Sequence, residues 1–245
     1  MRDYQAELKK RIAFIQGQLK NAHAEGIVYG NSGGKDSALV GILCKMACEN
    51  TLGVMMPCQS KRNFGEDMED GRAVAKQFSI ETITVDLSEV KRILVDQIQP
   101  NQAVTEDASK NIAPRLRMAT VYAIAQSRKA LVAGTGNRSE AYVGYFTKWG
   151  DGAHDFNPIH DLTVTEVYEF LRFLDAPKSI IEKAPSAGLF EGQTDEAEMG
   201  ISYAAIDEYL LHGTGDADTI EKIEAMHQRS LHKLKMPMEY RGEEL

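Results

Sequence analysis

The sequence predicts an α/β fold: a doubly wound parallel sheet with helices on both faces, in a single domain over residues 1–245. Three observations point there. Gly26 to Tyr29, Leu52 to Pro57, Ile80 to Val85 and Ala130 to Thr135 are short apolar runs with the length and composition of buried strands. Stretches with apolar residues at helical spacing separate them, and strand–helix alternation builds a parallel sheet. The third is a glycine-rich stretch, Gly30-Asn31-Ser32-Gly33-Gly34-Lys35-Asp36-Ser37, between the first run and a helix. A strand, a glycine turn and a helix in that order aim free backbone N–H groups at an anion.

The chain is long enough to bury a sizeable core. Its formal net charge of -8 opposes a broad nucleic-acid or membrane surface. No apolar run approaches a membrane span, and the charged N-terminus reads as a helix rather than a secretory signal, so a cytoplasmic location is expected. Cys44, Cys48 and Cys58 lack zinc spacing and read as buried, reduced thiols.

Asp3 to Glu25 is an amphipathic helix with Leu8, Ile12, Ile15, Leu19 and Ala22 in one stripe, suited to covering the sheet or meeting another subunit. After the glycine-rich loop, Ser37 to Glu49 is helical through Leu39, Ile42, Leu43, Met46 and Ala47. The loop is not the common phosphate loop, because Asp36 follows Lys35 where Ser or Thr would stand. A carboxylate beside a phosphate cradle is repulsive unless a cation lies between, and Mg²⁺ binds through a few carboxylates plus phosphate oxygens.

Beyond the second strand come a polar loop, Gln59 to Gly65, with Lys61 and Arg62, and a helix from Glu66 to Phe78. Helices are also expected from Leu87 to Ile98 and from about Asp107 up to the fourth strand. Ligands of such sheets bind outside the carboxyl ends of the strands, which places Asn31 to Ser37, Pro57 to Gly65 and Gly134 to Glu140 around one crevice. Gly134 to Glu140 offers a hydroxyl at Thr135 and a carboxylate at Glu140; with Asp36 that makes two carboxylates able to hold a metal against a triphosphate. By itself the same stretch reads as a capped helix start.

Asn111 and Arg115 share a helical face, Arg117 is expected on another side, and Pro114 marks a kink or a first turn. Tyr142 to Pro158, rich in aromatic, glycine and polar residues, reads as a working loop or a structural Ω-loop. Val164 to Asp175 is a helix capped by Thr163 or Thr165, and Ala184 to Glu196 is long enough for a lid. Asp195 with Glu198 starts a helix expected to run to Leu211; after a linker, Gly213 to Asp218, a last helix from Thr219 to Leu234 ends in His232-Lys233-Leu234-Lys235.

Ser32-Gly33-Gly34-Lys35-Asp36-Ser37 resembles the SGGxDS loop of the ATP pyrophosphatases, of adenine-nucleotide α-hydrolase-like, Rossmann-like fold. Asn111 to Met118 resembles N-x-x-A-R-x-R-M, Gly134 to Glu140 resembles G-T-x-N-x-S-E, and Phe146 to Asp151 resembles F-T-K-x-G-D. With Asn157-Pro158-Ile159, Pro185 to Leu189 and Gln193 to Glu196, these motifs cover Gly30 to about Tyr203 and resemble the NH₃-dependent NAD synthetases. The resemblance implies the last step of NAD biosynthesis: the carboxylate of deamido-NAD attacks the α-phosphate of ATP, pyrophosphate leaves, and ammonia displaces AMP.

By the same resemblance, Gly30, Asn31, Ser32, Gly33, Gly34, Lys35, Asp36 and Ser37 hold the ATP phosphates, and Thr135 and Ser186 contact ATP. Asp36 and Glu140 ligate Mg²⁺; Arg115, Lys148, Asp155, His232 and Lys233 face deamido-NAD; Asp151, with Asp36 the catalytic pair, orients ammonia. A homodimer is implied, with the helix from Asp3 to Glu25 as a contact element. The chain departs from the family pattern at Val164, where a lysine often touches ATP, at Pro114, and at Leu234, where the expected His-Lys-Arg run reads His232-Lys233-Leu234 with Lys235 displaced by one position. A tRNA-thiolating relative would instead use a reactive cysteine and a basic surface. A non-catalytic nucleotide-binding module would have no need of Asp36, Glu140 and the 142–158 loop together.

Overall fold

The computed structural model describes residues 2–59, 65–182, 195–240 and 242. Four parallel strands, β1 (Gly26–Gly30), β2 (Thr51–Met55), β3 (Glu81–Thr84) and β4 (Ala130–Ala133), form a sheet in the order β3-β2-β1-β4. Each expected strand is present; β1 runs one residue further than expected, to Gly30, while β2, β3 and β4 end one or two residues earlier. Val28 of β1 pairs with Leu52 on one side and with Val132 on the other.

Side-chain alternation along β1 divides the core. Ile27 and Tyr29 face one way, into a cluster with Ile15 of α1 (Tyr4–Ala22), with Leu39, Ile42 and Leu43 of α2 (Lys35–Ala47), and with Val74 of α3 (Glu66–Gln77). Val28, Leu52 and Val54 face the other way, against Ala113, Val121 and Ala125 of a long helix. That helix, α5 (Glu106–Ser127), covers this second face, and α4 (Ser88–Ile98), with no buried residue, packs beside it. Helices on both faces bury β2 and all of β1 but its last residue, Gly30, which is why they read as unbroken apolar runs.

Of the stripe on the N-terminal helix, Ile15 is buried and Leu8 and Leu19 pack against the core, while Ala22 is exposed. Tyr4 and Ile15 are buried, and Arg11 donates to Glu7, Asp161 and the Pro158 carbonyl, while Arg2 Nε donates to Glu166 at 2.6 Å. The larger exposed apolar set lies elsewhere: Ile83 on β3 with Val90, Ile93 and Leu94 on α4.

Two helices differ from expectation. α5 runs through Pro114 without a break, with Pro114 buried inside it. The helix expected from Asp195 to Leu211 is two, α9 (Asp195–Met199) and α10 (Tyr203–His212), since Gly200 turns at φ +63° and Ser202 caps a fresh start through Ala205 N. α6 (Arg138–Val143), α7 (Val164–Phe173), α8 (Lys178–Ile181) and α11 (Ala217–Leu234) complete the order. A satellite core joins Val143, Val164, Ile206 and Ile223 from α6, α7, α10 and α11. Among the described residues no helix is long and apolar enough to cross a membrane.

Candidate active site

Strand order reverses at β1: β2 follows on one side, while the chain returns to the other side only at β4. The carboxyl ends of β1 and β4 therefore part around a crevice, the place where such sheets bind ligands. A cavity of about 650 Å³ opens there. Gly30 to Ser37, except Gly33, line it from β1, and Gly134, Thr135, Gly136 and Glu140 line it from β4.

The glycine-rich loop is braced from within. Asn31 Nδ2 donates to the Gly71 carbonyl at 3.1 Å, tying the loop to α3, and Asn31 Oδ1 receives Gly33 N–H at 3.3 Å. Gly33 lies at φ +72°, and a Cβ there would sit 1.9 Å from the Asp67 carbonyl oxygen. Ser32 Oγ donates to Ser37 Oγ at 3.1 Å, and Ser37 Oγ lies 3.0 Å from the Gly34 carbonyl. Gly34 begins α2 with no side-chain cap. The first amides of that helix are thus available to an anion, with the positive end of the helix dipole behind them.

Across the crevice Asn137 organises both carboxylates. It opens α6 as the N-cap: its side chain accepts from Glu140 N at 3.0 Å, and its backbone N donates to Glu140 Oε2 at 3.2 Å. Its Nδ2 also donates to Asp36 Oδ1 at 3.1 Å. Glu140 is thus both the acid of a capping box and a crevice carboxylate. Burial pushes the Glu140 carboxyl up to about 8, with Asp36 pushing the same way and Lys35 opposing.

Lys35 closes the arrangement. Its Nζ lies 2.6 Å from Asp36 Oδ2 and 3.8 Å from Glu140 Oε1. Burial lowers its pKa, but Asp36 and Glu140 outweigh that and hold it above the ordinary lysine value. A cation is therefore at home between these two oxygens. Among the described residues no set of three or more His, Cys, Asp or Glu side chains surrounds a metal position. Two carboxylates suit an ion such as Mg²⁺, which completes its shell with water and phosphate oxygens, and do not suit a metal needing an all-protein cage.

α5 contributes Asn111, Pro114, Met118 and Val121 to the cavity wall. Arg117, expected on another side, also reaches it: its Nε donates to the Met56 carbonyl at 3.1 Å. Its length carries it round the helix, which residue spacing alone does not reveal. Arg115 is instead exposed at the rim, its guanidinium 3.5 Å from the Lys148 carbonyl.

Irregular chain from Gly144 to Pro158 walls the far end. Thr147 Oγ1 donates to Asn111 Oδ1 at 2.7 Å, and Thr147 N donates to Asp151 Oδ1 at 3.0 Å. Asp151 is exposed at the cavity lining, and the protein packed around its carboxyl raises its pKa by desolvation. Lys148 Nζ donates to the His232 carbonyl at 2.7 Å, and Lys233 Nζ to the Gly144 and Phe146 carbonyls. Arg115, Lys148, His232 and Lys233 thus form one chain of contacts, of which only Lys233 lines the cavity.

Asp155 stands apart from that chain. Its carboxylate takes Val132 N–H at 2.7 Å and the Tyr122 hydroxyl at 3.2 Å, while Phe156 bridges to Ala133 beside β4. Ser186, with Lys61, Arg62 and most of the 184–196 stretch, lies outside the described residues. Not foreseen from sequence were Tyr168, which lines the cavity, and Tyr203, whose ring lies 5.6 Å from Lys35 Nζ. Asn137 lay inside a quoted motif, so its presence was legible and its role was not.

The NAD synthase family model matches residues 7–237. The chain belongs to the NAD synthase family. The NH(3)-dependent NAD(+) synthetase of Carboxydothermus hydrogenoformans is 45% identical over 240 residues, covering 96% of this chain and 97% of that protein. Among solved structures, the NMN synthetase from Francisella tularensis matches with a TM-score of 0.93 and 35% identity, covering 99% of this chain and 100% of that one. The NH3-dependent NAD synthetase from Campylobacter jejuni, in complex with nitrate, matches at 0.79 and 31%, covering 98% and 100%. These NAD synthase relatives share the parallel sheet ringed by helices and match the chain almost end to end.

Proposed function

We propose that this chain makes NAD from deamido-NAD, ATP and ammonia through an adenylated intermediate, releasing AMP and pyrophosphate, as the last step of NAD biosynthesis. The observation that carries the reading is the meeting of the uncapped start of α2 with Asp36 and Glu140 at the sheet's switch point, in a member of the NAD synthase family. A carboxylate is a weak nucleophile and pyrophosphate a highly charged leaving group, so catalysis here is positioning and charge neutralisation.

In this reading the amides of Gly30 to Ser37 grip the phosphates, and Thr135 and Ser186 contact ATP. Asp36 and Glu140 hold Mg²⁺, which supplies neutralisation of the phosphate charge when bound. Asn137 keeps both carboxylates aimed at one point. Arg115, Lys148, His232 and Lys233 serve the substrate at the rim, Asp155 fixes the segment beside β4 on the same side, and Asp151 accepts an N–H of the incoming ammonia. The wall from Gly144 to Pro158 keeps water from an acyl adenylate that it would hydrolyse. The decisive assay mixes the protein with ATP, Mg²⁺, deamido-NAD and ammonium and measures NAD and AMP together. Absence of both from folded protein overturns the reading.

A second reading concerns the size of the substrate. The Francisella tularensis structure, which matches at TM-score 0.93, is an NMN synthetase. Such an activity amidates the mononucleotide, nicotinate mononucleotide, with the same ATP chemistry. Parallel kcat/KM measurements on the mononucleotide and the dinucleotide decide between them. We further place the protein in the cytoplasm as a homodimer, joined through Ile83, Val90, Ile93 and Leu94 rather than through α1, because apolar side chains clustered on one face favour a partner. Leu94→Glu then yields monomers in sedimentation; an unchanged mass would remove this face from consideration.

A further inference from the structure

Lys35 is the first residue of α2, where a side chain is free to reach toward solvent, yet it is only 6% exposed and turns between two carboxylates. The oxygens it meets, Asp36 Oδ2 and Glu140 Oε1, are the ones that Asn137 leaves open after taking Asp36 Oδ1 and Glu140 Oε2. Asp36 and Glu140 thus direct one oxygen each at a single point, and that point is claimed by the Lys35 ammonium.

We propose that Lys35 is a resident counter-cation that occupies the divalent-ion position between Asp36 and Glu140 and is displaced when the ion binds. The proposal rests on the reading that this pair holds the ion. Two carboxylates this close, mostly withdrawn from water, repel one another, and a positive charge between them relieves that repulsion. Lys35 supplies that charge, so the site forms without metal. An ammonium and a divalent ion cannot share the position, because each repels the other at contact distance. A lysine has a flexible four-carbon stem and a compact charge, so once displaced the ammonium is able to follow negative charge to a nearby phosphate oxygen. Its partner in the metal-free state is the carboxylate pair; its partner in the loaded state is the triphosphate. Metal and nucleotide then bind cooperatively, because the phosphate gives the evicted ammonium somewhere to go.

The test is Mn²⁺ binding to the full-length protein by calorimetry, without nucleotide and with a non-hydrolysable ATP analogue. Wild type binds Mn²⁺ weakly alone and markedly tighter with the analogue. Lys35→Met binds Mn²⁺ alone at least about tenfold tighter than wild type, and the analogue adds less. Melting temperature gives an independent readout: in EDTA Lys35→Met melts below wild type, and MnCl₂ raises it by more than it raises wild type. Lys35→Gln, which keeps a hydrogen bond to Asp36, is held to the same expectation should Lys35→Met fail to fold. Adding Glu140→Gln to Lys35→Met abolishes the gain. Equal Mn²⁺ affinity in wild type and both single variants overturns the counter-cation while leaving the metal site intact. No Mn²⁺ binding to any of them, even with the analogue, overturns the metal site and the proposal together.

Discussion

Asn137 offers the sharpest test of how this site is built, because one side chain performs two separable tasks. It caps α6 through Glu140 N and orients Asp36 through its Oδ1, and it is fully buried. Removing an N-cap costs about 1 kcal/mol. Leaving the Asp36 oxygen without its partner in a mostly buried setting costs about 1–3 kcal/mol more. Asn137→Ala therefore loses roughly 2–4 kcal/mol, while Asn137→Ser, which still caps but does not reach Asp36, loses roughly 1–3 kcal/mol. Urea unfolding in EDTA reads both values, and the gap between the variants reads the cap. Both variants lose on the order of 10–100-fold in kcat/KM for AMP formation, as when a group that orients a metal ligand is removed. The reasoning fails if Asn137→Ala unfolds with the wild-type midpoint, or if Asn137→Ser keeps wild-type activity.

Other expectations follow from the same geometry. Gly33→Ala puts a methyl group into the Asp67 carbonyl at a left-handed φ and destabilises by at least about 2 kcal/mol; a wild-type melting curve refutes the close approach. Asp36→Ala leaves a folded protein, since Lys35 keeps Glu140 as partner, but removes most AMP formation; full activity in that variant counts against the metal role. The His154 imidazole is held below its ordinary pKa by burial, and His160 adds to this. The unfolded chain then binds a proton that the folded chain refuses, so stability is lost as pH falls from about 6.5 through the lower folded value. His154→Gln flattens that slope in urea midpoints between pH 7.5 and 5, and an unaltered slope sinks the assignment.

What sequence could reveal divides along a physical line. The strands, the parallel sheet and the crevice were legible because period, turn chemistry and loop spacing are local signals, and the reversal of strand order does the rest. Asp36 and Glu140 were legible as a pair for the same reason: each follows a strand that the topology places side by side. Arg117 was misplaced because a helical wheel fixes where Cα points and not how far a guanidinium travels. The tyrosine beside Lys35 arrives from α10, more than 160 residues away in the chain, so no local pattern announces it. The break before α10 was hidden because Asp195 and Glu198 signal a helix start without showing that Gly200 ends it within two turns.

The segment beside β4 has a consequence for solubility. Gly134 N donates to the Phe156 carbonyl, Asp155 N to the Val132 carbonyl, and the Asp155 carboxylate takes Val132 N–H, so the outer side of this edge strand is dressed by the chain that walls the cavity. An undressed parallel edge is a template for another molecule's backbone. Any change that loosens residues 155 and 156 uncovers a row of hydrogen-bonding groups as well as the cavity wall. Damage to this wall is therefore expected to surface first as clumping during purification and storage, before a soluble, inactive form is ever collected.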